Sequence, residues 1–100
     1  MIIYKVVTET MQSLGLKGNT DIVQYELYEW HHHPQPIDGD ADEGGYWACR
    51  TLGAARELVK YMWKHHGKNT RIFRGFGFGL LYMSNRRVKV RGIRLNEEIQ

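Results

Sequence analysis

Thr51-Leu-Gly-Ala-Ala-Arg-Glu-Leu-Val-Lys-Tyr-Met-Trp-Lys-His-His-Gly67 is the stretch that decides the fold. Leu52, Ala55, Val59, Met62 and Trp63 recur at three- and four-residue steps, which places one apolar stripe along a helix. Thr51 precedes the stripe, and its hydroxyl suits the open N–H groups of a first turn. Lys60, Lys64, His65 and His66 load the last turns with side chains that are or can become cationic, as the negative end of a helix favours. Gly67 supplies the left-handed residue that commonly ends a helix. The pattern predicts one main helix at about 52–66.

The flanking segments read as strands. Residues 2–8 are β-branched and aromatic. Residues 21–31 form a long strand candidate, with Val23, Tyr25 and Leu27 on one face and Gln24, Glu26, Tyr28 and Trp30 on the other. Residues 46–50 form a short strand. After the helix come candidates at 70–75, 76–83 and 86–95, with Ser84-Asn85 as a turn. Phe76, Phe78, Leu80 and Tyr82 share one face of the second of these. Arg87, Lys89 and Arg91 alternate with Val88 and Val90 in the third, and Gly92 marks a bulge that moves the apolar face to Ile93 and Leu95. Asn96–Gln100 reads as a frayed tail. Strands around one helix imply an α+β fold: an antiparallel sheet of about five to six strands packed on one main helix, within a single domain over residues 1–100.

Charge is unevenly spread. Residues 1–48 carry two lysines against eight acids, or −6; residues 49–100 carry twelve Lys or Arg against three acids, or +9. Either the two halves neutralise each other within the fold, or the second half offers a cationic face to an anionic partner. A row of Arg87, Lys89 and Arg91, with Arg71, Arg74, Arg86 and Arg94 nearby, suits a phosphate backbone or an acidic protein surface. Tyr28, Trp30 and Tyr82 are the aromatic side chains expected to stack against such a partner.

Other constellations carry less chemistry. His31 and His33 fall on one strand face with metal-ligand spacing, but a supporting Cys-x-x-Cys or His-Glu-x-x-His is missing. Asp38-Gly39-Asp40-Ala41-Asp42 opens like a calcium loop. Glu43 then stands where the turn needs glycine, and Cys49 where a bidentate glutamate is needed. Cys49 is the single cysteine, which excludes an intrachain disulfide and fits a reducing compartment. No cofactor motif is present. No segment approaches the ~20 apolar residues of a membrane span, so a cytoplasmic site is expected.

The run Arg74-Gly75-Phe76-Gly77-Phe78-Gly79-Leu80-Leu81 resembles the RNP1 motif of RNA-recognition-motif domains in its basic-Gly-aromatic-Gly-aromatic opening. That resemblance implies rings on an exposed strand face that stack on bases. The match covers about eight residues of the chain. Gly79 stands where that motif has an apolar residue and Leu81 where it has an aromatic one. The element order differs too, with three strands before the helix. The alternative for Phe76 and Phe78 is a place in the core facing the helix, with the glycines where a curved strand passes close.

Tyr4-Lys5-Val6-Val7, Gly45-Tyr46-Trp47-Ala48 and Thr51-Leu52-Gly53-Ala54-Ala55 together resemble small accessory proteins encoded by phages and other viruses. That resemblance implies a protein that binds a host or viral macromolecule, such as an inhibitor of host defence.

Three expectations follow. The first is a non-enzymatic module binding nucleic acid or a nucleic-acid-binding protein through the basic C-terminal strands. The second is a protein–protein inhibitor or homodimer using the acidic 38–43 loop or an exposed strand edge. The third is a small enzyme built on Cys49 or the histidines.

Overall fold

The computed structural model describes residues 1–15, 22–32 and 45–100. Its elements are β1 (Ile2–Thr8), β2 (Trp30–His32), β3 (Tyr46–Cys49), α1 (Leu52–His66), β4 (Thr70–Met83) and β5 (Arg87–Ile99). The fold is α+β: one helix packed on a five-stranded antiparallel sheet. The strand order is β2-β5-β3-β1-β4, and β4 also pairs with β5. The ring β1-β4-β5-β3 therefore closes on itself, with β2 beside β5.

Closure follows from the length of β4 and β5. β4 pairs with β1 from Thr70 to Phe76 and with β5 from Ile72 to Met83. Its glycines let it bend rather than end. The expected break between residues 75 and 76 is therefore absent, and 70–83 is one strand. Ile3, Val7, Tyr25, Ala48, Phe73, Val88, Val90, Ile93 and Leu95 fill the enclosed core. The buried apolar residues of β5 change from even to odd numbers across Arg91-Gly92, but the expected bulge is not there: the β4–β5 register runs unbroken from Gly75 opposite Leu95 to Leu80 opposite Val90 and shifts only between Arg74 and Gly75 and between Leu80 and Tyr82. Gly79 (φ 70°) stands against Arg91 at that change.

The helix covers the outside of the ring. Val6, Cys49, Ala55 and Ile72 form a second core with Leu52, Leu58 and Val59 packed against it. The hydroxyl of Thr51 accepts from the Ala54 N–H at 3.1 Å. Gly67 closes the helix at φ 62°, its N–H donating to the carbonyl of Trp63 while the Lys68 N–H donates to that of Met62. Trp63 does not join the stripe: it is 61% exposed. Leu58 takes its place.

Gly53 sits in the first turn, and the nearest atom a methyl group would meet there is Thr51 Oγ1, at 4.0 Å. Gly53→Ala is expected to stabilise the fold by about 0.5 kcal/mol, because alanine has less unfolded freedom to lose. Urea denaturation checks this; a lower midpoint would contradict it.

Two further expectations are corrected. The 21–31 strand is interrupted. Gln24 and Leu27 make isolated bridges, and only Trp30–His32 is a strand. Tyr28 adopts φ 65°, which ends the alternation. The tail is not frayed. β5 runs to Ile99, with Arg74 opposite Glu97, Phe73 opposite Glu98 and Ile72 opposite Ile99. The glutamates hold it down by pairing with arginines on β4.

Candidate functional site: an aromatic face on the barrel

Strand register decides which side chains share a face, since residues directly opposite in neighbouring strands point the same way. Trp30 lies opposite Arg94, and Arg94 lies opposite Phe76. One row of Trp30, Arg94 and Phe76 therefore crosses three strands. The next row is His32, Gly92 and Phe78. The Phe78 ring lies over Gly92 so closely that a Cβ there would sit 2.0 Å from Cε1. Trp30 meets Phe78 edge-on at 5.3 Å between ring centroids, and His32 meets it at 6.2 Å.

This face looks outward. Trp30, Phe76 and Phe78 are each more than two-fifths exposed, as are Leu80 and Tyr82 further along β4. The core placement of Phe76 and Phe78 is thus overturned. Gly75 and Gly77 hold the inner side of β4 instead, where the backbone of β5 and the side chain of Val90 leave no room for side chains. Tyr28 stands beside the platform, 62% exposed, with the Arg94 guanidinium 5.9 Å from its ring centre. Its positive φ is a strained conformation for a bulky residue, of the kind that gathers at functional sites. The Nε of Arg94 is buried and has no hydrogen-bond partner among the described residues.

The basic row expected from the sequence is dispersed. Arg71 makes a bidentate pair with Glu98 at 2.8 and 2.9 Å, and Arg74 pairs with Glu97 at 2.6 Å. The Arg71–Glu98 pair raises the arginine's pKa and lowers the glutamate's. Arg86 pairs with Glu57. The acids of the second half therefore serve its own arginines. Lys89 is not on an open face: it is 2% exposed, with its ammonium 5.5 Å from the centre of the Trp47 ring. Arg87 stacks on the other part of that cluster, 4.7 Å from the same ring, and Trp47 touches Tyr82 at 5.5 Å. Arg91 is half-buried against Gly79.

His31 Nε2 accepts from the Glu26 N–H at 3.3 Å, and its ring packs edge-on against Tyr25. His33 and the 38–43 loop lie outside the described residues. No group of three or more metal-ligating side chains forms among the described residues. Cys49 is buried, and that burial pushes its thiol pKa up, away from nucleophilic use. No helix among the described residues is long and apolar enough to cross a membrane.

The class defined by these observations is a small closed β-barrel with one helix on its outside and an aromatic platform on β2, β4 and β5. No family model, curated protein or solved structure matches the chain.

Proposed function

We propose that the protein is a non-enzymatic module that binds single-stranded nucleic acid on the platform of Trp30, Phe76, Phe78 and Arg94. The observation that carries this reading is the row in which Arg94 lies between two exposed rings, with a third ring beside it over Gly92. Bases have apolar faces and stack on rings whatever their sequence, while arginine meets phosphate or stacks in turn. Alternate residues along a strand are ~7 Å apart, a spacing that an extended, unstacked strand can follow from Phe76 to Phe78. Folded monomers seldom display so many large apolar side chains together without a partner. Because Arg71, Arg74 and Arg86 are engaged by glutamates, stacking contributes more here than charge.

Labelled oligothymidine and oligouridine, followed by fluorescence anisotropy at low salt, test this reading. Binding is expected, with an affinity that falls with salt by roughly 0.7 log units per log unit of salt for each phosphate met. Phe78→Ala is expected to weaken it about tenfold. Arg94→Ala is expected to weaken it and to flatten the salt dependence. Absence of binding at low salt, or full affinity in both Phe78→Ala and Trp30→Ala, would overturn the proposal. So would a stable dimer that these ring substitutions dissolve, since the face would then be covered by a second copy.

A further inference from the structure

A second concavity lies away from the platform, between α1, the ends of β1 and β3, and the turn at residues 84–87. It is an open cleft of about 730 Å³, within the range of sites that hold small molecules. Val6, Leu14, Ala48, Ala54 and Leu58 make much of its wall. Such a surface suits a hydrocarbon body.

Its charges are unbalanced. Among the described residues, Lys5, Arg86 and Arg87 line it against one carboxylate, Glu57. Arg86 takes that carboxylate. Lys5 lies at depth, only 9% exposed, and its ammonium donates to the backbone carbonyl of Trp47, which is neutral. Arg87 lies at the exposed rim over the Trp47 ring. Two cations thus border an apolar space without a carboxylate of the described chain set against them. Burial lowers the Lys5 pKa to about 8, as expected for an ammonium short of counter-charge.

We infer that this cleft binds a small apolar monoanion, a carboxylate or sulfonate on a hydrocarbon or ring body. The body lies against Leu58 and Ala54, and the head group pairs with Arg87 and Lys5. This inference does not depend on the nucleic-acid reading, because none of the platform residues Trp30, Phe76, Phe78 and Arg94 lines the cleft.

The probes are decanoate, followed by calorimetry, and anilinonaphthalene sulfonate, followed by its own fluorescence. Saturable one-to-one binding is expected for both. Arg87→Ala and Lys5→Met are each expected to weaken decanoate at least fivefold. Decanol, which has the same body and no charge, is expected to bind at least tenfold more weakly than decanoate. Leu58→Arg tests the wall and is expected to abolish binding, with circular dichroism reporting whether the fold persists. Non-saturable uptake, equal affinity for decanol and decanoate, or unchanged affinity in folded Arg87→Ala and Lys5→Met would overturn the inference.

Discussion

Gly75→Ala is expected to cost about 3 kcal/mol or more of folding stability, the upper range for overpacking a tight interior. A Cβ at this position would stand 1.9 Å from the carbonyl oxygen of Arg94, with the Arg94 carbonyl carbon and Leu95 Cα at 2.9 and 3.0 Å. These are backbone atoms, so no rotamer change relieves the contact. The strand cannot slide away either. Gly75 is paired with Ile3 of β1 on one edge and with Leu95 of β5 on the other. Moving it strains both ladders and shifts Phe76, which shares a row with Arg94 and Trp30. Urea denaturation should show a markedly lower midpoint, in contrast with the small gain at Gly53. An unfolding free energy within about 0.5 kcal/mol of the parent would mean that β4 and β5 are not in this register.

Lys5→Met is expected to move stability the other way, by about 2 kcal/mol at pH 7. The Lys5 ammonium is buried, and its pKa falls from 10.5 to about 8 because burial disfavours the charged form. A depression of that size corresponds to roughly 3 kcal/mol lost on folding with the proton bound. Methionine has a similar shape and no charge. It leaves the Trp47 carbonyl without its donor, which returns about 1 kcal/mol of the gain.

The pH dependence separates this cause from simple repacking. Below pH 8 the lysine is protonated in both states, so its full cost is present. Between pH 8 and 10.5 the unfolded chain holds the proton and the folded chain releases it. The parent therefore gains stability through that window, and the advantage of Lys5→Met shrinks. Tyr25 and Tyr46 have pKa values raised by burial, which removes stability at alkaline pH from parent and variant alike; Cys49, also raised by burial, is held down in part by the Lys5 ammonium, so the comparison is made in a Cys49→Ala background. The difference between the two curves is thus the quantity to measure. A difference that stays constant from pH 7 to 10.5 would refute the buried-charge account.

The helix was legible because its signals are local. The Thr51 cap, the apolar steps from Leu52 to Met62 and the terminal Gly67 lie within one stretch, and each is seen in the structure. The strands were legible where alternation was strong, as in Val88, Val90, Ile93 and Leu95. Tyr28 was not, because a left-handed tyrosine leaves no trace in a sequence; only the chain around it enforces the conformation. Lys89 was misplaced for a related reason. Alternation set it in a row with Arg87 and Arg91, but Trp47 opposite it folds over that position. Glu97 and Glu98 looked like a loose end because their partners, Arg74 and Arg71, stand more than twenty residues earlier.

The candidate platform shows the same division. Phe76 and Phe78 were visible as an aromatic alternation, but the sequence does not say which face of a strand is covered. That depends on where β5 and β2 dock, and so on Gly75, Gly77 and Gly92. Arg94 was visible only as one of seven basic residues, and the register sets it between two rings. The cleft had no sequence signal, since its walls come from β1, β3, α1 and the 84–87 turn.

Closure of the ring has a consequence for solubility. An open sheet that displayed phenylalanine and tryptophan on its surface would also offer unpaired N–H and C=O groups along its sides. Together these make a template for indefinite strand addition. Here β4 is paired with β5 as far as Met83 but with β1 only as far as Phe76, so closure covers both sides of its first half and leaves residues 78–83 with one side open among the described strands. Strand addition is thereby confined to the far end of β4 and the outer side of β2. Elsewhere a molecule that meets this surface can lie on it but cannot be zipped into it.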